Sequence, residues 1–111
     1  MDIEKFIEQW IAVGNSNDTE KYLEFYSDDS VLDDPSVGAK FSGKNGVQKY
    51  FESYLIGYKT QTKKMNLVIK VESQAHLEVE FTGDFPERKI WGTFDFIFKN
   101  GKIAYLKADL M

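Results

Sequence analysis

Cysteine is absent, which excludes disulfides, thiol catalysis and thiolate metal sites. His76 is the only histidine, so a histidine triad of zinc ligands cannot form within one chain, and no metal is expected. Positive charge is scarce: 14 Lys and Arg stand against 18 Asp and Glu, for a net charge of -4. That balance lacks the basic patch that nucleic acid requires, so no nucleic-acid partner is expected. No apolar run approaches the roughly 18–20 residues of a membrane-spanning helix, so no membrane partner is expected. There is no Ser-His-Asp arrangement, glycine-rich phosphate loop or Walker pattern, and no cofactor is expected. The opening MDIEKFIEQW is acidic and amphipathic and carries no signal-peptide pattern, which makes the cytoplasm the expected location.

What is abundant is aromatic. Phe, Tyr and Trp make up 15% of 111 residues, as nine Phe, six Tyr and two Trp. Such rings need a place to be buried. At 42% hydrophobic and 29% charged, the composition is globular. The length fits one domain over residues 1–111.

Hydrophobic spacing divides the chain into helices followed by strands. Ile3, Phe6, Ile7, Trp10 and Ile11 form one apolar stripe, which predicts a helix from residue 2 to about 13. Asp18 is a suitable N-cap for a short helix carrying Tyr22, Leu23, Phe25 and Tyr26. Residues 30–34 read as a short extended piece ended by Pro35, and 36–42 as a loop. Val47, Tyr50, Phe51, Tyr54 and Leu55 predict a third helix over about 43–56. Four strand-like runs cover about 59–73, 75–82, 88–99 and 102–110. Helices before strands indicate α+β with an antiparallel sheet.

The last hairpin allows a register to be written. Asn100-Gly101 is a strong signal for a two-residue type I′ turn. Continued without interruption, that turn sets Phe98 opposite Ile103, Phe96 opposite Tyr105 and Asp95 opposite Leu106. One face then holds Trp91, Thr93, Asp95, Ile97, Ala104, Leu106 and Ala108. The other holds Ile90, Phe94, Phe96, Phe98, Ile103 and Tyr105. Three helices can cover only one apolar face. The expectation is therefore a homodimer through the face with Phe94, Phe96, Phe98 and Tyr105.

Two carboxylates are the candidate chemical groups. Asp95, among apolar neighbours in that register, is expected to be desolvated, able to act as an acid or to donate a hydrogen bond while neutral. Asp34, before Pro35 and an irregular loop, is a candidate general base at a pocket mouth; Asp-Pro is equally an ordinary turn former. Trp10 on the inner stripe offers an indole N–H, and Tyr22, Tyr26, Tyr50 and Tyr54 offer hydroxyls, some of them to a pocket. His76 shares a face with Glu78 and Glu80 and reads as exposed.

The series Trp10-Ile11-Ala12, Asn15-Ser16-Asn17-Asp18, Tyr26-Ser27-Asp28-Asp29, Leu32-Asp33-Asp34-Pro35, Ser42-Gly43 and Tyr50-Phe51 resembles the N-terminal half of SnoaL-like proteins. Gly92-Thr93-Phe94-Asp95-Phe96 and Lys99-Asn100-Gly101-Lys102-Ile103 resemble their closing hairpin. These proteins belong to the superfamily of nuclear transport factor 2 and ketosteroid isomerase. The resemblance implies a cone: a curved antiparallel sheet wrapped around three N-terminal helices, enclosing an apolar pocket, with many members dimerising through the sheet. It places Asp34 at the isomerase base and Asp95 at the protonated acid that helps bind the oxyanion. The oxyanion tyrosine falls at Trp10 and a supporting tyrosine at Phe51, so the phenols of the isomerase are missing.

Three functions are compatible with this reading. The first is a pocket protein binding a small, largely apolar molecule through Trp10, Tyr22, Tyr26, Phe51, Tyr54 and Trp91. The second is a cofactor-free isomerase- or cyclase-type enzyme using Asp34 and Asp95 on a carbonyl compound. The third is a non-catalytic dimerisation module whose cone is filled by its own rings.

Overall fold

The computed structural model describes residues 1–111. Helix α1 spans Ile3–Asn15, capped by the Asp2 side chain, and buries Ile3, Ile7 and Trp10. Helix α2 is short, Thr19–Leu23, and Asp18 caps it by accepting from the Lys21 amide. Helix α3 covers Gly43–Tyr50 and runs on into a π-helical segment, Phe51–Ile56. The strands are β1 (Tyr26–Asp34), β2 (Ala39–Ser42), β3 (Gln61–Val71), β4 (Gln74–Thr82), β5 (Lys89–Lys99) and β6 (Lys102–Leu110). They form one curved sheet in the order β2-β1-β6-β5-β4-β3.

This is the α+β class expected, with the helices on the concave face, but the details differ in three places. The sheet is mixed, because β1 runs parallel to β6. Phe25 and Tyr26 leave helix α2, and β1 begins at Tyr26, whose ring is buried in the core. The expected loop at 36–42 contains a 3-10 turn, Pro35–Val37, and the edge strand β2. Both N-terminal departures have one cause: β1 pairs on each side, with β6 and with β2.

The hairpin turn is as the sequence indicates. Asn100 and Gly101 have φ of 53° and 75°, and Lys99 pairs with Lys102. Two residues later the register slips. Phe98 pairs with Ile103 but Ile97 pairs with Tyr105, leaving Ala104 as an extra residue in β6. From there Phe96 faces Leu106, Asp95 faces Lys107 and Phe94 faces Ala108.

The slip overturns both face assignments. Phe94, Phe96 and Phe98 turn inward with Leu106 and Ala108 and are at most 5% exposed, so they are core and form no dimer face. Tyr105 turns outward, where its hydroxyl donates to Asp33 Oδ2 at 2.9 Å. Asp95, Trp91 and Ile97 stand on the convex face, and Trp91 is 44% exposed.

The inward phenylalanines pack edge-on to helix α1. The Trp10 ring lies 5.0 Å from Phe94 and 5.1 Å from Phe96, both near-perpendicular. Replacing Phe96 by alanine should cost about 3–5 kcal/mol in urea unfolding. Thr93→Ala, on the convex face, should stay within about 0.5 kcal/mol. Equal costs would contradict the burial of the Phe94-Phe96-Phe98 face of β5.

Candidate functional site

The Asp34-Pro35 step builds the polar end of the site. Pro35 keeps Asp34 extended, with φ -122° and ψ 93°, at the end of β1. Its carboxylate then turns back over the following 3-10 turn. Oδ1 accepts from the Ser36 amide at 3.0 Å and from the Ser36 hydroxyl at 2.5 Å. Oδ2 accepts from the Tyr50 hydroxyl at 2.7 Å. Asp34 is 4% exposed, on the inner side of the sheet.

Beside it opens a cavity of about 320 Å³. Helix α3 and its π-helical extension supply one wall. Tyr50, Tyr54 and Tyr58 recur every four residues, and their ring centroids are 5.3 and 6.5 Å apart in sequence order. Phe81, Ile90, Phe94 and Leu110 form the sheet wall, and Phe85 comes from the β4–β5 connection. Gly92 allows this wall to close: a Cβ there would meet the Phe81 ring at 2.5 Å and the Asp109 carbonyl at 3.1 Å.

The rest of the cone is filled by packed rings. The Trp10 indole donates to the Tyr26 hydroxyl at 3.2 Å, which donates to the Tyr22 hydroxyl at 2.7 Å. Tyr22 stacks on Phe51 with centroids 4.0 Å apart. All four residues are at most 3% exposed. Burial lifts the Tyr22 and Tyr26 phenols well above 10.0, and burial followed by the adjacent Asp34 carboxylate does the same to Tyr50.

Among the expected site residues, Asp34 and Tyr54 therefore line the cavity. Trp10, Tyr22, Tyr26 and Phe51 do not. They are packed against one another, and the Trp10 N–H is engaged by the Tyr26 hydroxyl. Trp91 and Asp95 are on the opposite side of the sheet. Asp95 Oδ1 lies 2.6 Å from His76 Nδ1, and its side chain is 45% exposed. The pairing of Asp34 with Asp95 across one pocket is thus corrected: the slip at Ala104 moves Asp95 out, and the inward position beside the cavity belongs to Phe94.

Ser36 is the polar group that sequence reasoning did not single out for the site, and Tyr50, one of four tyrosines named there for their hydroxyls, is the one that reaches Asp34. A signal for Tyr50 was present in its spacing with Tyr54 and Tyr58. No group of three His, Cys, Asp or Glu side chains is placed to hold a metal ion, and no helix is long and apolar enough to cross a membrane.

The buried phenols make a pH prediction. Their folded values lie above the unfolded value near 10, so their contribution to stability is complete below pH 10 and is lost as pH rises through the folded values. Unfolding free energy should fall above pH 10 with a slope approaching about 1.4 kcal/mol per pH unit for each such tyrosine. Guanidinium melts at a series of pH values should show a shallower slope for Tyr26→Phe.

No curated protein matches the chain. Among solved structures, a Sinorhizobium meliloti protein described provisionally as a polyketide cyclase superimposes with a TM-score of 0.85 at 20% identity, covering 94% of this chain and 93% of that one. SalBIII, described as an epoxide hydrolase/cyclase-like enzyme in pyran ring formation in salinomycin, gives 0.84 at 15% identity, covering 97% and 89%. An NTF-2 like protein of unknown function from Burkholderia xenovorans gives 0.82 at 15% identity, covering 97% and 81%. At these identities the likeness is one of fold. The SnoaL-like domain family matches residues 7–106 of the sequence, nearly its whole length, and the chain belongs to that family.

Proposed function

We propose that the protein binds a small, largely apolar molecule in the cavity beside Asp34. The cavity itself carries this reading: ten of its fourteen lining residues are hydrophobic, and the Ser36 and Tyr50 hydroxyls converge at one end on Asp34. A concave apolar site with a few convergent polar groups is the usual form of a small-molecule pocket. The relatives described as cyclases are compatible with it.

Binding ranks above acid–base catalysis for a geometric reason. Asp34 is held as an acceptor by three hydrogen bonds, and the second carboxylate of the isomerase arrangement stands on the far side of the sheet. Ile90→Trp fills the cavity without touching its polar end. It should weaken binding of a neutral probe such as tert-butylbenzene at least about ten-fold while leaving the melting temperature unchanged or higher. Unaltered binding, followed by amide shifts, would move the site elsewhere.

A second copy is the protein partner proposed, now through the convex face. One row of that face reads Lys40, Asp33, Lys107, Asp95, His76 and Val68 from β2 to β3. A two-fold axis between Lys107 and Asp95 sets each Lys107 over the other copy's Asp95 and each Asp33 over its His76. Val68, Trp91 and Ile97, 43–45% exposed, supply apolar surface beside the row. A standard interface needs roughly 800 Å² per partner. Light scattering should give a dimer for the wild type and a monomer for Ile97→Lys. A wild-type monomer at micromolar concentration would defeat this assignment.

A further inference from the structure

Buried carboxylates are rarely without a cation. Asp34 is one that has none: at 4% exposure its three partners are the Ser36 amide, the Ser36 hydroxyl and the Tyr50 hydroxyl. Every close ion pair in the molecule involves other residues. The three neutral donors orient the carboxylate and leave its charge uncompensated. No Lys, Arg or His lines the cavity that it faces.

The walls on either side are aromatic: Tyr54 and Tyr58 line the cavity from the helix side, Phe94 from the sheet and Phe85 from the β4–β5 connection. Ring faces attract cations, most strongly where water is displaced. A carboxylate without a cation at one end, aromatic residues along the walls and no positive group select for ligand charge as well as shape. An anionic ligand would meet Asp34 with nothing to offset it, and a neutral one would leave the carboxylate as it is.

We propose that the cavity takes an organic ammonium ion, a tertiary or quaternary amine on a compact apolar body, whose cation is the missing partner of Asp34. This rests on the pocket reading above and names its ligand class. A quaternary ammonium suits the site because Asp34 already holds its hydrogen bonds and needs charge rather than a further donor.

The test compares benzyltrimethylammonium with neopentylbenzene, the same shape with carbon in place of charged nitrogen, by amide-shift titration of the wild type and of Asp34→Asn. Asparagine keeps an acceptor for Ser36, and the Tyr50 hydroxyl can accept from its amide. The ammonium ion should bind the wild type at least about ten-fold tighter than the hydrocarbon. Asp34→Asn should remove that preference while still binding the hydrocarbon. Equal or tighter binding of the hydrocarbon by the wild type overturns the ammonium assignment and leaves an apolar pocket. A preference that survives in Asp34→Asn overturns the role of Asp34. Binding of neither probe overturns the pocket reading as well. If Asp34→Asn does not fold, the wild-type comparison decides alone.

Discussion

The pairing of β5 with β6 carries one extra residue at Ala104, and both faces of the sheet are sorted by it. Because side chains alternate along a strand, a slip of one position exchanges the whole inner set of β6 for the outer set. With the slip, Leu106 and Ala108 join Phe94 and Phe96 beneath helix α1, and Lys107 and Asp109 go to water. Without it, lysine and aspartate would be driven against the helices. The slip also brings Asp95 opposite Lys107, an oppositely charged cross-strand pair in place of aspartate against leucine.

Two tyrosine clusters divide the interior that this sheet encloses. In the narrow part, Trp10, Tyr26 and Tyr22 pass hydrogen bonds along a chain that faces no open space, so their polar atoms are satisfied internally. At the wide end Tyr50 bonds to Asp34, and the rings of Tyr54 and Tyr58 continue from it along the cavity wall. Residues of one chemical type thus close one part of the cone and line the other. Phe51 stacks on Tyr22 in the filled part, whereas Tyr54 and Tyr58 beyond it line the cavity together with Phe81 and Phe94.

The convex face, by contrast, is patterned in charge. Its row from Lys40 to Asp95 alternates in sign across four strands, with exposed apolar residues beside it. Cavity and convex face are therefore chemically independent, although β5 contributes Phe94 to one and Asp95 to the other on adjacent residues.

Much of the architecture was legible in local pattern. The apolar stripe of α1, the cap at Asp18, the Asn100-Gly101 turn and the extension forced on Asp34 by Pro35 each depend on neighbours a few residues away. Asp34 could be named a pocket-mouth residue for the same reason. Tyr50 could have been drawn to the site by its spacing, and Lys107 opposite Asp95 could have signalled the slip. Neither the location of Trp91 and Asp95 nor the emptiness of the cavity follows from such patterns. A bulge is set by long-range competition between two apolar faces for one layer of helices, and an open volume depends on how closely Phe51, Phe81 and Phe94 approach across the cone. The sequence by itself determined the three helices and the four C-terminal strands in outline, the turn and the carboxylate at the end of β1. Which face is buried, which aspartate lines the cavity and where space remains were decided only by tertiary packing, because those outcomes depend on contacts between residues far apart in the chain.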